Sequence, residues 1–345
     1  MNNFKYFKLD LVVTIFGAFA AFFIGKHYLG TVAGGWQMLF LAMVLTTLEI
    51  SLSFDNAVVN ATVLKKMSPL WQRRFLTWGI FIAVFVMRLV FPLTLVGIIA
   101  QVNPWEALVM AATRPNEYAQ IMLSAHHSIS AFGGAFLLMV CLNYFFDEEK
   151  EIHWFGLLEQ RLVKLGKMKA IELGLALVII CTFANFIAPQ EQLTFVVSGA
   201  WGLVTYIIVD GIGGILNAPD DEKVVDINKA SIGMFLYLEV LDASFSFDGV
   251  VGAFAITNNL FIIMIGLGIG AMFVRSMTIM LVEKGTLNEF RFLEHGAFYA
   301  IGSLAVIMFA GTLFHISEVL TAFLGVGFIA LSLVSSIRYN KKNGN

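Results

Sequence analysis

Long apolar runs follow one another along almost the whole chain, separated by short polar stretches. About 20 apolar residues in a helix reach across the hydrocarbon core of a bilayer. Runs such as FIAVFVMRLVFPLTLVGIIA do not alternate apolar with polar positions, which excludes the short strands of a membrane β-barrel. The pattern predicts about ten helices, over residues 10–25, 36–63, 75–101, 125–146, 170–188, 193–216, 231–257, 259–282, 296–314 and 317–337. The fold class is all-α: a polytopic transmembrane helical bundle in a lipid bilayer, one membrane domain over residues 1–345. The longest polar connection, residues 147–169, carries apolar residues at helical spacing and predicts a short amphipathic helix at the membrane surface. Pro92, four residues after Arg88, predicts a kink.

Composition agrees with this pattern. Of 345 residues, 59% are hydrophobic and 13% charged, whereas soluble domains are about one-quarter charged. The net charge of −2 matters less than where the cations sit. With the N-terminus inside, eighteen of the 22 Lys and Arg fall in cytoplasmic segments, Lys26 and Arg114 fall outside, and Arg88 and Arg275 lie within spans. That asymmetry places both termini in the cytoplasm, and the expected location is a bacterial-type inner membrane. Lys5 and Lys8 before an apolar stretch resemble a signal peptide, but Asp10 interrupts the basic flank and no small-residue cleavage site follows, so this stretch reads as a first helix. Cys141 and Cys181 sit in apolar runs without a CxxC pattern, which argues against a thiolate metal site. No motif for ATP or nucleic acid is present, so any driving force is an ion gradient or the membrane potential.

Two of the apolar runs carry buried acids in nearly the same words. LEISLSFDNAVV and LDASFSFDGVV align Glu49 with Asp242, Ser51 with Ser244, Ser53 with Ser246 and Asp55 with Asp248; Glu239 lies one turn ahead. The next helix in each half holds an intramembrane arginine, Arg88 and Arg275. The motifs fall on the second and seventh predicted helices, and an odd offset of five reverses direction through the bilayer. This is an inverted-topology repeat, with halves 1–192 and 193–345, of the kind that places a transporter's site near the midplane between the repeats.

Five carboxylates (Glu49, Asp55, Glu239, Asp242, Asp248) facing two arginines require further neutralisation, because a charge at the bilayer centre costs a few kcal/mol or more. A bound divalent cation supplies it, protonation is the second solution, and the two together give cation/proton exchange. With Ser53, Ser246 and Asn56 the acids form a hard-oxygen set suited to Mn²⁺, Mg²⁺ or Ca²⁺. Asp55 and Asp248 lie six residues beyond Glu49 and Asp242, about 120° around a regular helix. Convergence on one ion therefore needs local unwinding, which the serines tolerate, or ligands from a second helix. Arg88 and Arg275 read as charge-pairing residues, either fixed ion pairs or tethered cations that yield to a metal. The competing structural reading is a set of buried ion pairs that fixes helix packing. GLGIG at 266–270 and Ser130, Gly133 and Gly134 suit close helix approach. His126 and His127 read as an interfacial pair, with a low-affinity vestibule as the alternative, and Asp210 as an interfacial cap or a pathway residue. The chain is not expected to be an enzyme. The remaining catalytic class, an intramembrane aspartyl protease, would require a GxGD pattern, and GIGG at 211–214 lacks the Asp.

The second cluster, Glu239-x-x-Asp242-x-x-Phe245-Ser246-x-Asp248 followed by GVVGAFAIT, resembles the ExxDxxFAxDS…AIFAIT signature of TerC family membrane proteins. Glu49 through SFDNA is similar to that family's EIxLxxDN motif, VRSM at 274–277 to its arginine helix, and GGAFLLMVCLNYF to its GGxFLL helix. Length and extra helices resemble the TerC-like DUF475 branch, within a wider LysE-like transporter group. The resemblance implies a metal site of Glu49, Asp55, Asn56, Glu239, Asp242 and Asp248. It also implies a secondary transporter, an exporter of Mn²⁺ before Ca²⁺ or Mg²⁺, with the cation as cargo and no resident cofactor. Export would move ions by rocking one repeat against the other. The alternative is a non-transporting membrane scaffold in a metal or tellurite stress-response complex, docking through loop 147–169. The expected partners are lipid, the metal ion, and either a second copy or a cytoplasmic protein at that loop. Gly249 departs from the family pattern, which has Ser there and one more oxygen.

Overall fold

The computed structural model describes residues 3–168, 170–217, 227–314 and 316–343. Lys169 and Lys223, counted above to the cytoplasmic side, lie outside them. The described chain forms α1 (Lys8–Leu29), α2 (Val32–Leu52), α3 (Phe54–Leu64) and α4 (Pro69–Arg74). Two π-helical segments, Phe75–Gly79 and Ile82–Val90, lead into α5 (Phe91–Ala100), α6 (Pro104–Thr113), α7 (Pro115–Ser124), α8 (His126–Phe146), α9 (Gly156–Gly166) and α10 (Ile171–Ala184). The chain continues through α11 (Pro189–Asn217), α12 (Ile227–Ile256), α13 (Leu260–Glu283), α14 (Thr286–Glu289), α15 (Leu293–Gly311) and α16 (Glu318–Asn343). No strand occurs among the described residues, nine helices of which are long and apolar enough to cross a membrane.

Three details differ from the sequence pattern. The predicted span 170–188 is α10, 14 residues long, or about 21 Å of helix. The predicted span 36–63 is divided at Ser53 into α2 and α3. The irregularity expected at Pro92 lies ahead of it: Phe91 N–H donates to the Val86 carbonyl, five residues back, and Pro92 falls in the first turn of α5. There its missing N–H costs little. The connection after α5 is itself helical, because Asn103 and Glu106 close a capping box with Pro104 at the first position of α6.

The chain divides into two compact units. The first comprises Met1–Ser53, Arg73–His126 and Phe245–Met280. Here α13 lies on α2 through two glycines four residues apart. A Cβ at Gly266 would sit 2.6 Å from Leu45 Cβ, and one at Gly270 2.5 Å from Glu49 Cβ. The approach lets the Thr46 hydroxyl reach the Gly266 carbonyl at 3.0 Å. This is the small-residue helix packing expected where lipid offers no hydrophobic drive.

The second unit comprises Phe54–Gln72, His127–Ser244 and Leu281–Asn345. Helix α3 is buried from Asp55 to Thr62. Helix α8 meets α15 through Gly133 and Gly134, where added Cβ atoms would stand 2.7 Å from Met308 Cε and 3.2 Å from the Phe309 ring. The connection 147–169 folds back on this unit through Glu159, which is fully buried in the first turn of α9. Its carboxylate accepts the N–H groups of Trp154 and Phe155, both at 3.2 Å, and the Tyr299 hydroxyl at 3.1 Å. Lys150 Nζ stands 3.1 Å away and also lies over the Tyr144 and Phe145 rings, while His295 Nε2 is 3.4 Å away and His153 Nδ1 3.6 Å. Burial alone would raise the Glu159 pKa. The His295 hydrogen bond, the Lys150 charge and the Phe155 N–H reverse this and hold it at about 2. The amphipathic helix expected in this connection is therefore present, and it is clamped.

Candidate cation site

The unit boundaries fall at Ser53/Phe54 and Ser244/Phe245, inside the two repeated motifs. The candidate residues thus divide into two sets, one in each unit.

In the first unit, α2 ends at Leu52, and Ser53 leaves helical geometry with φ −103° and ψ 16°. The unwinding expected in SLSFDN is confined to this residue. Glu49, one turn earlier, is 5% exposed. Its Oε1 accepts the Arg88 Nη2 at 2.5 Å and the Ser53 hydroxyl at 3.3 Å. Arg88 Nη1 donates to the Ala83 carbonyl at 2.5 Å, within the π-helical segment. Such segments are rare and frequent at functional sites. Gly249 on α12 faces the same carboxylate: a Cβ there would lie 3.5 Å from Glu49 Oε2, an ordinary contact. The Ser246 hydroxyl is buried with no hydrogen-bond partner among the described residues. Arg275 is buried with its guanidinium 3.9 Å over the Phe75 ring, a cation–π contact. The Asp248 backbone lies in α12, and its side chain lies outside what the structure describes.

In the second unit, Asp242 and Asn56 come together. Asp242 Oδ1 accepts Asn56 Nδ2 at 2.6 Å and Asn60 Nδ2 at 3.0 Å. The amide oxygens of Asn56 and Asn60 are buried and have no donor among the described residues. Asp55, 4% exposed, accepts the Asn56 N–H at 2.9 Å in the first turn of α3, where the helix dipole favours an anion. Its Oδ2 faces Gly325 of α16 across 3.9 Å to an added Cβ. Glu239, one turn before Asp242, is likewise buried. Here α12 runs unbroken through SFSFDG, unlike α2 and α3 at SLSFDN.

Among the described residues no three His, Cys, Asp or Glu side chains gather as a metal cluster. The groups brought together are a carboxylate with a hydroxyl, paired to an arginine, in one unit, and a carboxylate with two amides in the other. Two residues of this chemistry escaped the sequence pattern. Asn60 is i+4 from Asn56, a spacing that already placed both on one face. Asp10, read only as an interruption of a basic flank, is a further buried acid in an apolar helix and hydrogen-bonds Ser276. His127 contacts Glu191 and lies 3.2 Å from the Thr312 carbonyl, which ties α8 to α11 and to the end of α15. Asp210 is exposed.

A family model described as a protein of unknown function, DUF475, matches residues 54–343. The chain belongs to the DUF475 family. The match takes in Asp55, Asn56, Asn60, Arg88 and the whole acidic motif of α12, and begins just past Glu49 and Ser53, so the break between α2 and α3 marks the edge of the DUF475 region. No curated protein and no solved structure matches the chain significantly.

Proposed function

We propose that this protein is a secondary transporter that exports a divalent metal cation, Mn²⁺ before Ca²⁺ or Mg²⁺, through the acidic residues of its two repeated motifs, with protons as the coupling ion. The observation that carries the reading is the pairing of Asp242 with Asn56 and Asn60, whose own amide oxygens are buried without a donor among the described residues. A buried acceptor left unmet costs about 1–3 kcal/mol. A hard cation dressed by oxygen meets such acceptors, and the residues present supply carboxylate, amide and hydroxyl oxygens with no thiolate. Glu49 and Arg88 support the same reading, because a guanidinium already occupies the place a cation would take beside that carboxylate. The choice of Mn²⁺ and of export rests on the resemblance to the TerC family and its LysE-like relatives.

The test is Mn²⁺ entry into liposomes carrying the purified protein, followed with a trapped metal-sensitive dye. An Asp55→Asn/Asp242→Asn variant is run beside it, with Ca²⁺, Mg²⁺ and a pH gradient in the same assay. Saturable flux that the variant loses supports transport through the acids. Folded protein that moves none of these ions overturns it and leaves the scaffold reading, with docking at 147–169.

A further inference from the structure

The clamp on Glu159 fixes one face of α9 and thereby decides which face is offered outward. Leu157 is 84% exposed, Leu158 51% and Leu165 45%. Arg161, Lys164 and Lys167 are exposed as well. Residues 157, 161 and 165 are four apart and 164 is three beyond 161, so leucines and cations share the face turned away from Glu159. The acids of this connection do not offset them. Asp147, Glu148, Glu149 and Glu151 all precede the helix, and Glu159 is buried against Lys150.

The position of α9 identifies what this face meets. Gly166, its last residue, lies so close to the Phe146 carbonyl that an added Cβ would collide with it. Phe146 is the last residue of α8, one of the helices able to cross the bilayer. The next apolar helix, α10, begins at Ile171, so the link from Gly166 is short. Helix α9 is thus held at the end of a helix able to cross the membrane, with exposed leucines and three exposed cations. An amphipathic helix of this composition lies in the plane of the interface, and its cations are drawn to anionic headgroups. We infer that α9 is an interfacial docking element for anionic lipid of the leaflet that α8 leaves and α10 enters, held in register by the Glu159 clamp. This goes beyond cation transport and does not depend on it.

The test uses full-length protein in vesicles. A fluorophore is attached at position 157 of a Leu157→Cys/Cys181→Ser variant, and quenching by a headgroup-level lipid quencher is measured. Vesicles of phosphatidylcholine alone are compared with vesicles that also contain phosphatidylglycerol. Quenching is expected to rise about threefold or more with the anionic lipid and to fall back in high salt, which screens the attraction. It is expected to fall back equally in an Arg161→Gln/Lys164→Gln/Lys167→Gln background, whose substitutions are all at exposed positions. Equal quenching in both vesicles would overturn the charge recognition. No quenching in either would show a face open to a soluble partner and overturn the inference. Transport is not part of the readout, so failure here and failure of the proposed function are separable.

Discussion

Glu49 is held by neighbours that arrive from three helical segments. Arg88 and Ser53 satisfy its Oε1, Gly249 leaves room beside its Oε2, and Gly270 lets α13 pass its Cβ. Removing one partner of a buried ion pair leaves an uncompensated charge, so Arg88→Gln is expected to destabilise the protein by about 3–5 kcal/mol. Adding Glu49→Gln removes the stranded charge, and the double variant should recover much of the loss, as thermal unfolding in detergent would show. A double variant no better than the single would mean that Arg88 is needed for its bond to Ala83 rather than for Glu49. Gly249→Ser tests the opposite direction. The added Cβ meets only an ordinary contact, and Ser is a better helix former than Gly, so stability should hold or rise slightly. Its hydroxyl adds an oxygen beside Glu49. On the proposed function the half-saturating Mn²⁺ concentration should fall several-fold in the liposome assay, and an unchanged value would take Glu49 out of the ion path.

At the level of elements, two kinds of contact act, one inside each unit, and they fail in different ways. The glycines of α13 act by absence of a side chain. Gly270→Ala places a methyl 2.5 Å from Glu49 Cβ and is expected to cost about 1–3 kcal/mol by overpacking. Gly214→Ala on α11 meets nothing within 4 Å and should be neutral or slightly stabilising. Thermal unfolding of the two variants side by side checks the contrast. The clamp on α9 acts by charge. Its carboxyl is held at about 2 in the folded state against an ordinary 4.5, with Lys150, His153, His295 and Tyr299 facing it. A lowered carboxyl pKa contributes stability above 4.5 and loses it as pH falls from there toward 2. Amide exchange at residues 153–159 should therefore speed up across that window, and Glu159→Gln should show the fast rate already at neutral pH. The helices, the paired motifs and the amphipathic helix were legible in the sequence, because each rests on local periodicity or on repeated words. The clamp was not, since residues 150, 159, 295 and 299 share no period and meet only after folding. Nor was the difference between the two motifs. Serines permit a break in either one, and only the first contains it.

For the whole molecule the open question is direction, and it turns on one short helix. The two acidic motifs lie in oppositely directed halves only if an even number of crossings lies between them, as four do between the second and seventh predicted helices. The sequence pattern reached that parity by counting residues 170–188 as a span. The helix there, α10, has 14 residues, about 21 Å against a hydrocarbon core of about 30 Å. A short helix still crosses where the bilayer thins or flanking residues reach outward. The cations argue that it does. Arg161, Lys164 and Lys167 stand before it, whereas the connection from α10 to α11 (residues 185–188) carries no Lys or Arg. Single cysteines placed at residues 164, 190 and 341 in a Cys181→Ser background, probed with an impermeant thiol reagent on intact cells, decide the matter. Position 190 should react from outside, while 164 and 341 should react only after the membrane is opened. If 190 is also shielded until then, α10 does not cross. The acidic motifs then run in the same direction, and the inverted repeat falls, together with the midplane geometry it implies. The buried oxygens around Asp242 would remain, and the liposome assay alone would have to say whether they carry an ion.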